Sequence, residues 1–542
     1  MKRKKELIVI LSSLLVIVLS VSVAYFTTKI LGTGKEISVE SADLKVIFTS
    51  GSGTINGTNI EPGWTSGENT FIVKNESNGT YKYNIIIKDL VNTFVTEGFL
   101  QYKITSTDGG YNMTDFVDVP KSSTATDTVL AENISIEKGT THTYKIVINY
   151  NNSDDVDQSA DMGKTLTGKI FITKGTEIPT LVSRLLEDNP TIGTRTDFST
   201  AFTTNTAHTL YKSTENGINV YYFAGQDTIS TPINNWVKFG KFQSDYVLYR
   251  DNNKDNSSYD IYYTMADCLN SDKSQHNCIE EKYANAGDDM YWRIVRTNSD
   301  GSLRLLYSGT NLDATEFHLG VSAFDTNYDN PKYVGYMYGD NYDSLDNIRE
   351  NINNSYIKAY IDYWYGKHFV SYADYLSNDA IYCNDRNLAS GSIYGSKNDF
   401  YFKTYERINN NEPSYDCVST KDAFSVNNTE AKLKYPIALM SVDEIVFAGG
   451  KDAKKLPMWY FVNGQFNTIS NAFWLMSPQQ YAGSWSAYVA VYTVENSLGL
   501  SSAGVNGWTF VRPVTSLKSC VQWKSGDGSA SSPYEIVENG GC

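Results

Sequence analysis

Basic residues are scarce in this chain, and histidine is rarer still. Lysine and arginine number 46 against 61 aspartates and glutamates, a formal net charge of −15. Nucleic acid needs a cationic footprint for its phosphates, so it is disfavoured as a partner. Five histidines, His142, His208, His276, His318 and His368, are scattered along 542 residues. The six cysteines form no C-x-x-C and no Cys/His cluster, which argues against a metal centre. No glycine-rich phosphate loop occurs: Gly449-Gly450 follows a short helical stretch and reads as its stop. No G-x-S-x-G comes with a plausible triad. Asp251-x-Asn253-x-Asp255 begins like a calcium loop, but Asn256 takes the glycine position and Tyr262 the glutamate position. We read it as a solvated loop. No cofactor is implied.

What remains is a chain able to bury a core. Hydrophobic residues make up 41%, and the length suits several domains. Forty tyrosines, set among Asn, Ser, Gly and Thr, favour exposed strand positions and also supply rigid contact area. The chain opens on Lys2, Arg3, Lys4 and Lys5, then about twenty mostly apolar residues from Leu7 to Phe26. Residues 1–30 are therefore expected to be either a signal-anchor helix holding the chain in a membrane or a cleaved signal peptide. In the second reading Ser22-Val23-Ala24 is the small-x-small cleavage site. Either way the bulk lies outside the cell, and no cysteine beside the apolar run supports a lipoprotein route. The cysteines agree with export. They fall as three sequential pairs, Cys268 and Cys278, Cys383 and Cys417, Cys520 and Cys542. Many connectivities are possible, and neighbour pairing is favoured because each pair lies in its own segment.

Residues 35–175 alternate apolar and polar positions in short runs such as TFIVKN (70–75) and THTYKIVINY (141–150), separated by Gly, Asn and Ser. That pattern predicts a β-sandwich, with Glu61-Pro62-Gly63-Trp64 as a tight turn. ADLKVIF and IEPGWTSGENTFIVKNESNGTYKYNI resemble the camelysin/TasA type of bacterial surface and matrix β-sandwich. Protease activity is not carried over, because the segment has no H-E-x-x-H and His142 is its only histidine. Residues 176–216 read as a linker with one short helix around Leu181, Leu185 and Leu186, capped by Thr180 and stopped by Pro190.

From 217 to 519 the pattern is α+β, with 251–290 a polar insertion and 520–542 a turn-rich tail. YWRIVRTNSDGSLRLLYSG (291–309) predicts a hairpin, SYIKAYIDYWYGKHF (355–369) a helix, and VDEIVFAG (442–449) a short helix capped by Ser441 or Asp443. The segments WRIVRTNSDGSLRLLYSG, IYCNDR, PSYDC, LKYPIALMSVDEIVFAGG, AFWLMSP, AYVAVYT and WTFVRPVTSLKS occur in the order of an uncharacterised domain family. That family is exported by Gram-positive gut bacteria, and its closure is similar to C-type-lectin-like folds of the formylglycine-generating type. The resemblance supports pairing Cys383 with Cys417. It implies that the segment between Gln479 and Trp508 presents ligand-contacting side chains. The copper cysteines of formylglycine-generating enzymes have no counterpart between 418 and 519.

The whole is expected to be mostly β with an α+β second part. Tyr481, Trp485, Tyr488, Tyr492, Asn496, Asn506 and Trp508 are the candidate ligand-binding residues, since Tyr and Trp stack or anchor and Asn gives directional hydrogen bonds. Arg512 is expected to sit in an internal ion pair or on a stack of rings. FWLMSP (473–478) and WTFVRP are expected to be scaffold. The function expected is non-enzymatic recognition or adhesion at the cell surface, toward a glycan or a surface protein. A structural matrix fibre and a cell-wall hydrolase are the alternatives.

Overall fold

The computed structural model of the protein describes residues 36–538 except 40–43, 51–53, 58–59, 67, 76–80, 176–178, 205, 252–260, 272–275, 396–398, 470 and 484–487. The chain is mostly β, with 40% of residues in strands and 14% in helices. It divides into two compact units, Met1–Glu177 and Ile178–Cys542. Among the described residues no helix is long and apolar enough to cross a membrane; the apolar segment expected to do so lies outside them.

In the first unit, period-two alternation does the folding. Thr141–Tyr150 buries every second residue, His142, Tyr144, Ile146, Ile148 and Tyr150. It sits between Asn69–Asn75 and Leu100–Ser106 in a seven-stranded sheet. Tyr81–Asn92 lies between Leu166–Lys174 and Ser122–Ile136 in a four-stranded sheet. Phe71, Ile104 and Ile146 from the first sheet share one core with Ile85, Ile87 and Ile170 from the second. Two sheets with one apolar layer between them are what such alternation produces. The expected turn forms: Trp64 N–H donates to the Glu61 carbonyl at 3.0 Å, and Gly63 takes φ 91°. Only a glycine enters that region cheaply at the third position of the turn.

The second unit is built on a ten-stranded sheet. Asp289–Thr297 and Leu303–Tyr307 form the expected hairpin, and Gly301 N–H closes its turn on the Asn298 carbonyl at 3.0 Å. Pro513–Leu517 pairs with Leu303–Tyr307 on one side and Ile437–Leu439 on the other. The expected helix is present as Tyr356–Trp364, capped by the Ser355 hydroxyl. Val442–Phe447 is the second, with Ser441 and Glu444 closing a reciprocal capping box.

Two segments differ from expectation. The stretch read as a linker is part of this unit: Leu181 and Leu185 are 1% exposed, and Thr191–Thr194 pairs in parallel with Thr209–Glu215. The stretch read as a tail contributes Tyr534–Ile536, which lies parallel to Trp236–Lys241, and Val521, whose carbonyl accepts from Leu181 N–H at 2.8 Å. Thr191–Thr194 has no buried residue, whereas Tyr534–Ile536 buries Tyr534 and Ile536, and neither has its pairing partner adjacent in sequence.

Two smaller sheets frame the candidate site. One has the order Ile261–Tyr262, Tyr246–Asp251, Cys278–Ala284, so the insertion is in part a structured wall. The other runs Val321–Ala323, Trp508–Phe510, Phe473–Ala482, Tyr488–Glu495, Gly499–Gly504. FWLMSP opens the strand Phe473–Ala482, and Trp474 is fully buried with its indole N–H on the Ser322 carbonyl at 2.8 Å.

Candidate functional site

Between those two sheets lies a groove of about 850 Å³. Its first wall is a sheet face. Ile279, Glu281 and Tyr283 alternate along Cys278–Ala284 and therefore point the same way. Arg250, opposite Ile279, joins them. The Arg250 guanidinium meets the Glu281 carboxylate at 2.5 Å, and the Tyr283 hydroxyl donates to the same carboxylate at 2.8 Å. Burial is the largest influence on Arg250, but the bonds to Glu281 and Tyr283 outweigh it and raise its pKa. The Cys268–Cys278 disulfide ties this wall to the short helix Met265–Leu269.

The second wall is the edge of the other sheet. Val321 faces Phe510 and Ala323 faces Trp508, so Trp508 and Phe510 share a face two residues apart. His318 lies between the walls. Its ring centroid is 3.9 Å from that of Phe510 and 6.3 Å from that of Tyr283. The chain here is pinned from both sides. The hydroxyls of Tyr246 and Tyr360 both donate to the Leu319 carbonyl at 2.6 Å, and Leu319 N–H donates to the Val511 carbonyl at 2.9 Å. Gly320, at φ 133°, leaves no room for a Cβ, which would meet the Tyr360 hydroxyl at 2.7 Å. His318 is 6% exposed, and its Nδ1 is buried without a hydrogen-bond partner. Burial pushes its pKa down to about 3, with Arg512 and Arg250 adding to the effect.

The candidate residues from the sequence do not converge. Trp508 lines the groove and its ring lies 6.2 Å from that of Tyr356. Asn506 is exposed. Tyr481 is 2% exposed and packs on Phe400 at 5.3 Å, beneath the added strand Asp399–Tyr401. Tyr492 is 4% exposed, and burial raises its pKa. Asn496 is 6% exposed. Tyr481, Tyr492 and Asn496 are thus largely covered, so their residue type alone was a poor guide to accessibility. Tyr488 lies in the strand Tyr488–Glu495, and Trp485 lies outside the described residues. Sequence reasoning missed Tyr283, His318, Glu316, Glu495 and Phe510. The one signal available was a cystine-closed insertion, which here is the site's wall.

Two disulfides are as expected, Cys268–Cys278 and Cys383–Cys417. Cys520 is also disulfide-bonded, and its expected partner Cys542 lies outside the described residues. Asp251 approaches Cys268 and Cys278 closely, but both sulfurs are spent in the disulfide.

Elsewhere several of the buried acids are engaged by arginines. Arg296 bonds Glu215 and Glu444, each at 2.9 Å, and Arg407 bonds Asp443 at 2.8 Å and also Asp385. Arg296, Glu444, Arg407, Asp443 and Asp385 border a small cavity of about 20 Å³, room for one water. Arg512 departs from half of its expectation. It stacks on Phe473 at 4.9 Å and Phe317 at 5.2 Å, but it has no carboxylate among the described residues. The carbonyls of Tyr307 and Tyr460 hold it instead, and burial lowers its pKa to about 9.

One constellation imitates a hydrolytic triad. His276 meets Asp251 at 3.0 Å and Ser271 at 3.4 Å. Both contacts fall on the same nitrogen, Nδ1, so the imidazole cannot relay a proton from the hydroxyl toward the carboxylate. Fold and groove together define a mostly β, disulfide-bonded protein of two compact units with an aromatic-walled cleft in the second. No protein-family model matches the chain, and no curated protein matches it.

Proposed function

We propose that this is an exported cell-surface protein whose second unit recognises a partner non-covalently through the groove. The observation that carries the reading is the groove itself. It is about 850 Å³, with Trp508, Phe510 and Tyr283 from two different sheets facing a common space. Clefts of this size with a few aromatic platforms and convergent polar groups are the usual form of a ligand site. Disulfides persist in oxidising compartments, which supports placement outside the cell. In this reading the second unit is a C-type-lectin-like domain, and the adjacency of Phe473 to Phe510 is the closure that the ordered segments imply. The first unit is a sandwich that carries it from a membrane anchor at residues 1–30.

The test is to probe the full chain and its Trp508→Ala variant against arrays of glycans and of surface proteins. Trp508 is half-buried at a groove wall, so the variant is expected to keep its circular dichroism spectrum. Removing one aromatic anchor is expected to weaken binding by about tenfold or more. Binding untouched by Trp508→Ala would place recognition elsewhere.

A further inference from the structure

The charge around the groove is not balanced. Four acids line it, Asp251, Glu281, Glu316 and Glu495, against two bases, Arg250 and Lys282. Glu281 is paired with Arg250 and Asp251 with His276. Lys282 is drawn off to Asp245 at 2.6 Å. Glu316 is exposed and Glu495 half-buried, and neither makes an ion pair with a described residue.

These two carboxylates line the same groove as Trp508 and Phe510. Glu316 is two residues from His318, which stacks on Phe510. Glu495 follows Val494, which pairs with Phe473, whose other neighbour is Phe510. The independent sign of a missing partner is His318. It is more than nine-tenths buried, it lines the groove, and it makes no hydrogen bond with any described residue. A neutral imidazole there carries one N–H donor and one acceptor nitrogen, and no positive charge.

We infer, on the reading that the groove is the recognition site, that its occupant is a basic peptide segment. It would present a lysine or arginine side chain whose stem lies on Trp508 and Phe510 and whose cation reaches Glu316 and Glu495. A long amphipathic side chain matches both halves of the site: the stem covers apolar rings while the head meets charge. Ring faces attract cations as well. A neutral sugar could donate hydroxyls to the two carboxylates but would leave their negative charge unbalanced. The chain's formal charge of −15 draws basic partners at long range.

Fluorescence anisotropy of a labelled octalysine peptide on the full chain tests this. The site variant is Glu316→Gln with Glu495→Gln. The control of equal net charge is Glu132→Gln with Glu137→Gln, two exposed positions in the first unit. The site variant is expected to bind about tenfold more weakly, the order set by losing two few-fold charge contacts. The control should match wild type, and the fully acetylated peptide should not bind. Equal losses in both double variants would mean that only long-range charge is at work, and would overturn the inference. A neutral glycan that binds in a Trp508-dependent way would sink the basic occupant but leave the recognition reading standing. No Trp508-dependent binding of any probe would sink both.

Discussion

At the scale of single residues, two histidines carry a pH signature. Burial holds His318 down to about 3 and His368 down to about 4 in the folded chain. In the unfolded chain both return toward the ordinary imidazole value of about 6.5. Between those limits the unfolded state binds more protons, so stability falls as pH drops from about 6.5 toward 4. Asp325 works the other way. Burial raises it to about 6, so its contribution is lost as pH rises through that value. We expect the thermal midpoint of the full chain to decline on acidification, and His318→Gln to make the decline shallower. Calorimetry at successive pH values checks this, and an identical slope in the variant would refute it. The same residues show what was legible. Trp508 was nominated as a stacking ring between the two closing segments, and it does line the groove. Tyr481 could not be judged, because Phe400, which covers it, comes from a strand about eighty residues earlier in the chain. Arg512 was readable as a stacked cation, yet nothing local announces that carbonyls take the place of a carboxylate.

At the scale of elements, the Cys268–Cys278 loop governs one groove wall. Closing a loop of ten residues is worth about 2–3 kcal/mol in the chain-entropy account. Replacing both cysteines with serine is expected to loosen Cys278–Ala284 while sparing the core strand Asp289–Thr297. Hydrogen exchange should quicken in the first and not in the second, and groove binding should weaken. Uniform protection in both strands would show that the disulfide is not what holds the wall. Elements whose signals are local were legible: the Asn-Ser-Asp-Gly hairpin, the Ser355 cap and the Ser441 capping box. Elements defined by a distant partner were not. Thr191–Thr194 and Tyr534–Ile536 look like loop sequence because pairing, not propensity, makes them strands.

At the scale of the whole molecule, the division falls at Glu177 and Ile178. Each side has its own continuous core. Residues 178–542 expressed alone are therefore expected to fold, with both described disulfides formed and a melting transition matching one found in the full chain. Limited proteolysis of the full chain should release a fragment of that size. A fragment that stays unfolded would show that the second unit depends on the first. The fold class was readable across this length because alternation repeats many times over. The end of the first unit was read near 175, but the start of the second was set at 217 because the segment before it is mostly polar.

The second unit is also a fold that closes on itself. Thr180, near its start, bridges to Gln522, and Trp236–Lys241 waits for Tyr534–Ile536. Pro513–Leu517 must slide between two strands already made from residues 303–307 and 437–439. A chain emerging amino end first can therefore complete the first unit early but not the second. The central sheet of the second stays incomplete until its final strands arrive. A premature stop anywhere before residue 513 is then not a slightly shortened protein. It is one with an unfilled slot in its central sheet, a ready target for quality-control proteases.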